Sequence, residues 1–198
     1  MNDALEYYSS NKQVWHISGF TELIDINLPN ESFFWRTMFC WGWATWNDRW
    51  FHFQKNPQAL INTFTPEMIK RFNLDGHQNF WKQVKLNANG RINTWAIFWY
   101  ATIFKNKGYC LNPFNSYVQN IGFDGSGVHC GEDGLRQKLI PLNQHGKFNP
   151  PKCLEEDKLA IKLIKNYYRV NKPSIFLRIY RALKRRLKNF LERLSRIR

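Results

Sequence analysis

Apolar residues along this chain follow two patterns, recurring at helical spacing in some stretches and forming short unbroken runs bounded by turn residues in others. The helical pattern predicts the end of a helix over 3–8 (DALEYY), closed by polar SSNK, and further helices over 42–53 and 57–61. Thr65-Pro66-Glu67 starts another, with Pro at its first position, and it runs through Met68 to Phe72. Residues 77–87 are amphipathic, with Phe80, Val84 and more weakly Trp81 on one side, until Asn89-Gly90 ends them. A mostly apolar helix over 95–105 stops at Lys107-Gly108, and 153–170 places Leu159, Leu163 and Ile164 at helical spacing. The unbroken runs predict two strands, over 14–20 (VWHISGF) and over 109–112 before Pro113. The connecting stretches are a turn at 29–32, a loop over 117–131 that is glycine-rich after Ile121, and coil over 141–151.

The most regular stripe comes last. Phe176, Ile179, Leu183, Leu187, Phe190, Leu194 and Ile197 step by three or four residues, and Arg178, Arg181, Lys184, Arg185, Arg186, Lys188 and Arg196 cover the other sides. A basic amphipathic helix is the pattern of an anchor on an anionic membrane surface, and also of a partner-docking helix or an RNA-binding arm. Of the formal charge of +14, residues 172–198 carry +9 through ten Lys/Arg and one Glu, which leaves +5 for the rest. With the charge confined to an amphipathic stripe, and no RNP, helix-turn-helix or zinc pattern, a nucleic-acid-binding protein is disfavoured. The chain is therefore read as a domain over 1–171 followed by a basic helical tail over 172–198. With 43% hydrophobic residues, the domain has enough apolar side chains for a real core.

Cys40, Cys110, Cys130 and Cys153 are widely spaced, without a CxxC pair, so free thiols in a reducing cytoplasm are expected rather than a zinc site or a disulfide scaffold. Met1 opens onto polar NDALEYYSSNK, which is not a secretory signal, and no apolar run approaches membrane-spanning length.

Five of the nine tryptophans fall in one run, FFWRTMFCWGWATWNDRW. Indole is costly to bury completely because its N–H needs a partner, so this density suits a cleft wall as well as a core, and flat indole faces suit sugar rings. This run, with INTWAIFWYATIFKNKGYCLNP and SYVQNIGFDGSGVHCG, resembles the acceptor-side half of a family of bacterial GT-A-type sugar transferases, some described as hemolytic-protein-like. A more distant similarity is to N-acetylglucosaminyltransferase-type enzymes. The resemblance covers roughly residues 1–131. It implies an α/β fold, or α+β if the sheet is small: a partial GT-A nucleotide-diphospho-sugar transferase fold without most of the N-terminal Rossmann-like half. In that family an acidic Asp-x-Asp-like metal motif lies just upstream of the DALEYY-like helix. Met1 therefore reads as an internal methionine of a longer enzyme.

Transfer from a nucleotide sugar must stabilise a departing pyrophosphate and an oxocarbenium-like centre, and a divalent cation with hydrogen-bond donors serves the first need. By resemblance, the loop GFDGSGVHCG would close over the donor, with Asp124, Gly125, Ser126, Gly127 and His129 at its phosphates and His129 at a Mn or Mg ion. Glycines there let backbone N–H groups approach a phosphate. The bland alternative is a surface turn whose His faces solvent. The acceptor side would be Trp41, Trp43, Trp46, Asp48 and Trp95, with Trp43, Trp46 and Trp50 sharing one helical face. Its alternative is an aromatic core stripe beside a solvent Asp–Arg pair. Related transferases often carry an acidic base after the Trp of INTWAIFW, where this chain has Ala96: either another carboxylate (Asp48, Asp75 or Asp124) substitutes, or the alignment slips there, or this branch works without that base; Asp48 and Asp124 are the catalytic candidates. His16 reads as a satisfied core or cleft-edge histidine.

The implied function is inverting sugar transfer from a nucleotide sugar to a surface polysaccharide or lipopolysaccharide, with a carbohydrate or lipid-linked saccharide as acceptor. The place would be the cytoplasmic face of the bacterial membrane, peripherally bound. The alternative is a non-catalytic, membrane-associated carbohydrate-binding remnant.

Overall fold

A computed structural model describes residues 1–21, 32–119, 148–171 and 183. A small mixed sheet with helices on both faces makes the fold α+β. Its strands are β1 (Val14–Ser18), β2 (Ser32–Trp35), β3 (Trp43–Ala44) and β4 (Tyr109–Pro113), in the order β2-β4-β1-β3. The central pair β1–β4 is parallel, and β2 and β3 flank it antiparallel. The helices are α1 (Asn2–Tyr7), α2 (Asn47–Trp50), α3 (Pro57–Thr63), α4 (Pro66–Phe72), α5 (Trp81–Ala88), α6 (Ala96–Lys105) and α7 (Lys158–Val170).

Strand alternation divides the core in two. Phe33, Trp35 and Cys110 face the larger cluster, which α6 fills with Ile97, Phe98 and Trp99 and α7 with Ile161 and Ile164. Phe34, Leu111, Val14 and Ile17 face the smaller one, closed by Ala4 and Tyr8 at α1. A register shift between Val14 and His16 breaks the alternation in β1. Trp15 packs in the larger cluster and His16 bonds Trp99, so two consecutive side chains reach the same side.

The two expected strands and the helices at 57, 66 and 96 form where capping residues and apolar runs place them. Asn56 and Thr65 cap α3 and α4 through their side chains, each ahead of a proline at the first turn. Three expectations fail. Ser32, the last residue of the turn read at 29–32, instead opens β2, a strand buried on both faces; residues 29–31 lie outside the described residues. The helix read over 42–53 is broken: Gly42 takes φ 53°, Trp43–Ala44 pairs with β1, and only Asn47–Trp50 is helical. Residues 77–80 and 153–157 precede their helices, which start where Asn73 Oδ1 accepts the Trp81 N–H and Asp157 caps Ala160.

Candidate functional site

The bulge in β1 builds the inner end of an aromatic column. His16 is fully buried; its Nδ1 accepts the Trp99 indole N–H at 3.2 Å and its Nε2 lies 2.9 Å from the Phe39 carbonyl. Because Nδ1 accepts, the proton sits on Nε2, and the ring is neutral. Burial lowers its pKa to about 4, against the pull of the Phe39 carbonyl. Trp43 stacks on this imidazole at 5.3 Å and 17°. Trp95 lies 5.2 Å from Trp43, and Trp50 lies 5.7 Å from it. Trp43 and Trp50 are half-buried, and Trp95, at the N-cap of α6, is 38% exposed. The column thus runs from a locked core histidine to an indole in solvent.

The other acceptor-side candidates point elsewhere. Trp41 meets Phe20 edge-on at 4.4 Å. Trp46 donates its N–H to the Leu5 carbonyl at 3.1 Å and packs with the smaller cluster, so the helical face shared with Trp43 and Trp50 does not exist. Asp48 is exposed and taken up by cations: Lys12 at 2.6 Å and Arg49 at 2.7 and 3.0 Å. The Lys12 and Arg49 hydrogen bonds hold its carboxyl well below the usual carboxylate range, which makes it a weak proton acceptor. Arg49, only 3% exposed, also donates to the Ser9 and Asn11 carbonyls at 3.0 and 2.9 Å. The pair clips α2 to the turn after α1.

Two concavities were not legible in the sequence. One, of about 220 Å³, lies at the carboxyl ends of the parallel strands β1 and β4, lined by Ser18, Gly19, Ser32, Pro113 and Tyr117 among others. Ligands in open sheets with parallel strands bind at such ends. Gly19 donates to the Gly42 carbonyl at 2.6 Å, and Gly42 lies so close to Val118 that a Cβ would meet its Cγ1 at 2.6 Å. The larger, of about 780 Å³, lies beside α7, lined by Arg36, His77, Glu156, Lys162, Lys165 and Arg169 among others. Arg36 holds Glu156 through Nε at 2.6 Å and Nη2 at 2.8 Å, and reaches Asp75 at 3.2 Å. Lys165 meets Asp75 at 2.6 Å. Burial disfavours the Asp75 carboxylate, and Lys165 and Arg36 more than offset it, so its pKa is lowered.

Asp124, Gly125, Ser126, Gly127 and His129 lie outside the described residues, as does nearly all of 172–198. Among the described residues no group of His, Cys, Asp and Glu side chains could hold the divalent ion that the resemblance implies. Among them, too, no helix is long and apolar enough to cross a membrane. No protein-family model, curated protein or solved structure matches this chain.

Proposed function

We propose that this chain is the acceptor-side part of a GT-A-type glycosyltransferase, using a nucleotide sugar and a divalent metal to extend a surface polysaccharide or lipopolysaccharide at the cytoplasmic membrane face. The observation that carries the reading is the aromatic column: Trp95, 38% exposed and 5.2 Å from the half-buried Trp43, offers a flat apolar edge anchored in the core. Such an edge suits the weakly apolar face of a sugar ring. The cavity beyond β1 and β4 adds a second place for a ligand near the same strands. In this reading Asp124 and His129 serve the donor.

A binding protein without catalysis is the second reading, favoured by two features of the acceptor side. Ala96 has no proton to exchange, and Asp48 is neutralised by Lys12 and Arg49. Oligosaccharide titration followed by tryptophan fluorescence tests what the two readings share. Trp95→Ala should weaken binding about tenfold. Unchanged affinity in that variant, or no binding by the parent chain, refutes both. Because the first reading makes this chain only the acceptor-side part, sugar transfer from a panel of nucleotide sugars with Mn²⁺ or Mg²⁺ is assayed with the chain joined to a nucleotide-binding half; turnover there favours the transferase and its absence the binding protein.

A further inference from the structure

α7 buries Ala160, Ile161, Ile164 and Tyr168. At about 100° per residue these occupy one half of the helix surface. Lys158, Leu159, Lys162, Asn166, Arg169 and Val170 occupy the other half, and all six are exposed. Within this outer half the residues are sorted. Lys158, Lys162 and Arg169 follow one edge, while Leu159, 48% exposed, and Val170, 70% exposed, follow the other.

Leu159 and Val170 stand about three helical turns apart on the same edge, beside the cationic one. An apolar strip beside a cationic strip is the arrangement of a helix lying in a lipid interface, where alkyl groups enter and ammonium groups stay with phosphates. The neighbouring acids do little to cancel the cations. Among the described residues Glu156 is held by Arg36, Asp75 by Arg36 and Lys165, and Asp157 caps the helix, which leaves Glu155 as the exposed carboxylate at this end. Among the described residues Arg169 bonds the neutral Asn166 amide oxygen. The chain after Asn171 continues with a charge of +9 over 172–198.

We propose that the outer face of α7 docks on an anionic lipid bilayer. Leu159 and Val170 enter the interface, and Lys158, Lys162 and Arg169 meet headgroup phosphates. The inference extends the membrane contact from the tail to the folded domain and does not depend on sugar transfer.

The test uses the full chain on phosphatidylcholine vesicles with and without phosphatidylglycerol. Amine labelling read by mass spectrometry should show Lys158 and Lys162 protected only when phosphatidylglycerol is present. Lys70 on α4 and Lys82 on α5 should stay reactive. Because the unmodified chain is labelled, this arm does not depend on how any variant folds. In co-sedimentation, the double substitution Lys158→Gln, Lys162→Gln should weaken partition about thirtyfold, and added salt should weaken it further. Vesicle binding that leaves Lys158 and Lys162 fully reactive assigns the contact to the tail alone and overturns the proposal. So does protection of the same lysines by single-stranded RNA but not by vesicles.

Discussion

Acidification offers a direct reading of the buried end of the aromatic column. His16 has no room for a second proton. Its Nδ1 already accepts the Trp99 N–H at 3.2 Å, so protonation would set N–H against N–H at a fully buried site. An unfolded chain carries an ordinary histidine, protonating near 6.5, whereas the folded one holds out to about 4. In that window the unfolded state binds the proton and the folded state does not, so stability rises with pH there. The stabilisation is fully present above about 6.5 and is lost as pH falls toward 4. Each pH unit is worth about 1.4 kcal/mol, which makes the total about 3 kcal/mol. Urea unfolding at half-unit steps from pH 7.5 to 4.5 measures it. The parent chain should lose about 1.4 kcal/mol per unit between pH 6 and 4.5. His16→Gln, less stable at pH 7, should be nearly flat in the same interval. Equal slopes in the two chains, or an NMR titration placing His16 near 6.5, would refute the argument.

Arg49→Ala should cost about 3 kcal/mol in urea unfolding, because the buried guanidinium ties Asp48 to the Ser9 and Asn11 carbonyls. Arg49→Lys should recover less than half of that, since one ammonium cannot span these acceptors. Glu156→Ala should cost about 2 kcal/mol by stripping the largely buried Arg36 of its two-pronged partner, and the loss should shrink when Arg36→Ala is present too.

What was legible in the sequence is what local chemistry decides. Caps and prolines set α3 and α4, and unbroken apolar runs set β1 and β4. β2 escaped because SFFW follows a turn signal and is buried on both faces, so no alternation marks it. The stretch after Gly42 reads as helix by spacing. It becomes β3 because it finds an edge: Ile17 and Ser18 accept Ala44 and Trp43 as partners, and Thr45 Oγ1 bonds the Trp15 carbonyl at 2.6 Å. That long-range pairing overrides local preference. The tryptophan-rich run marked the right region but not the right neighbours. Trp43 finds Trp95, far along the chain, while Trp46, three residues away, turns to the opposite core.

The same edge pairing explains why the column can serve a surface role at all. An indole on a two-residue strand would swing freely if only its backbone held it. Trp43 is instead stacked on an imidazole whose two nitrogens are both engaged, one by Trp99 on α6 and one by the Phe39 carbonyl. α6 also carries Trp95 at its N-cap, so one helix fixes both the anchor and the exposed end. The bulge in β1 is the step on which this depends. Without it strict alternation would put His16 on the face of Val14, in the smaller core, and send Ile17 to the other side, and Trp43 would lose the ring beneath it. The orientation of the solvent-facing indole is thereby set by a residue that solvent never reaches.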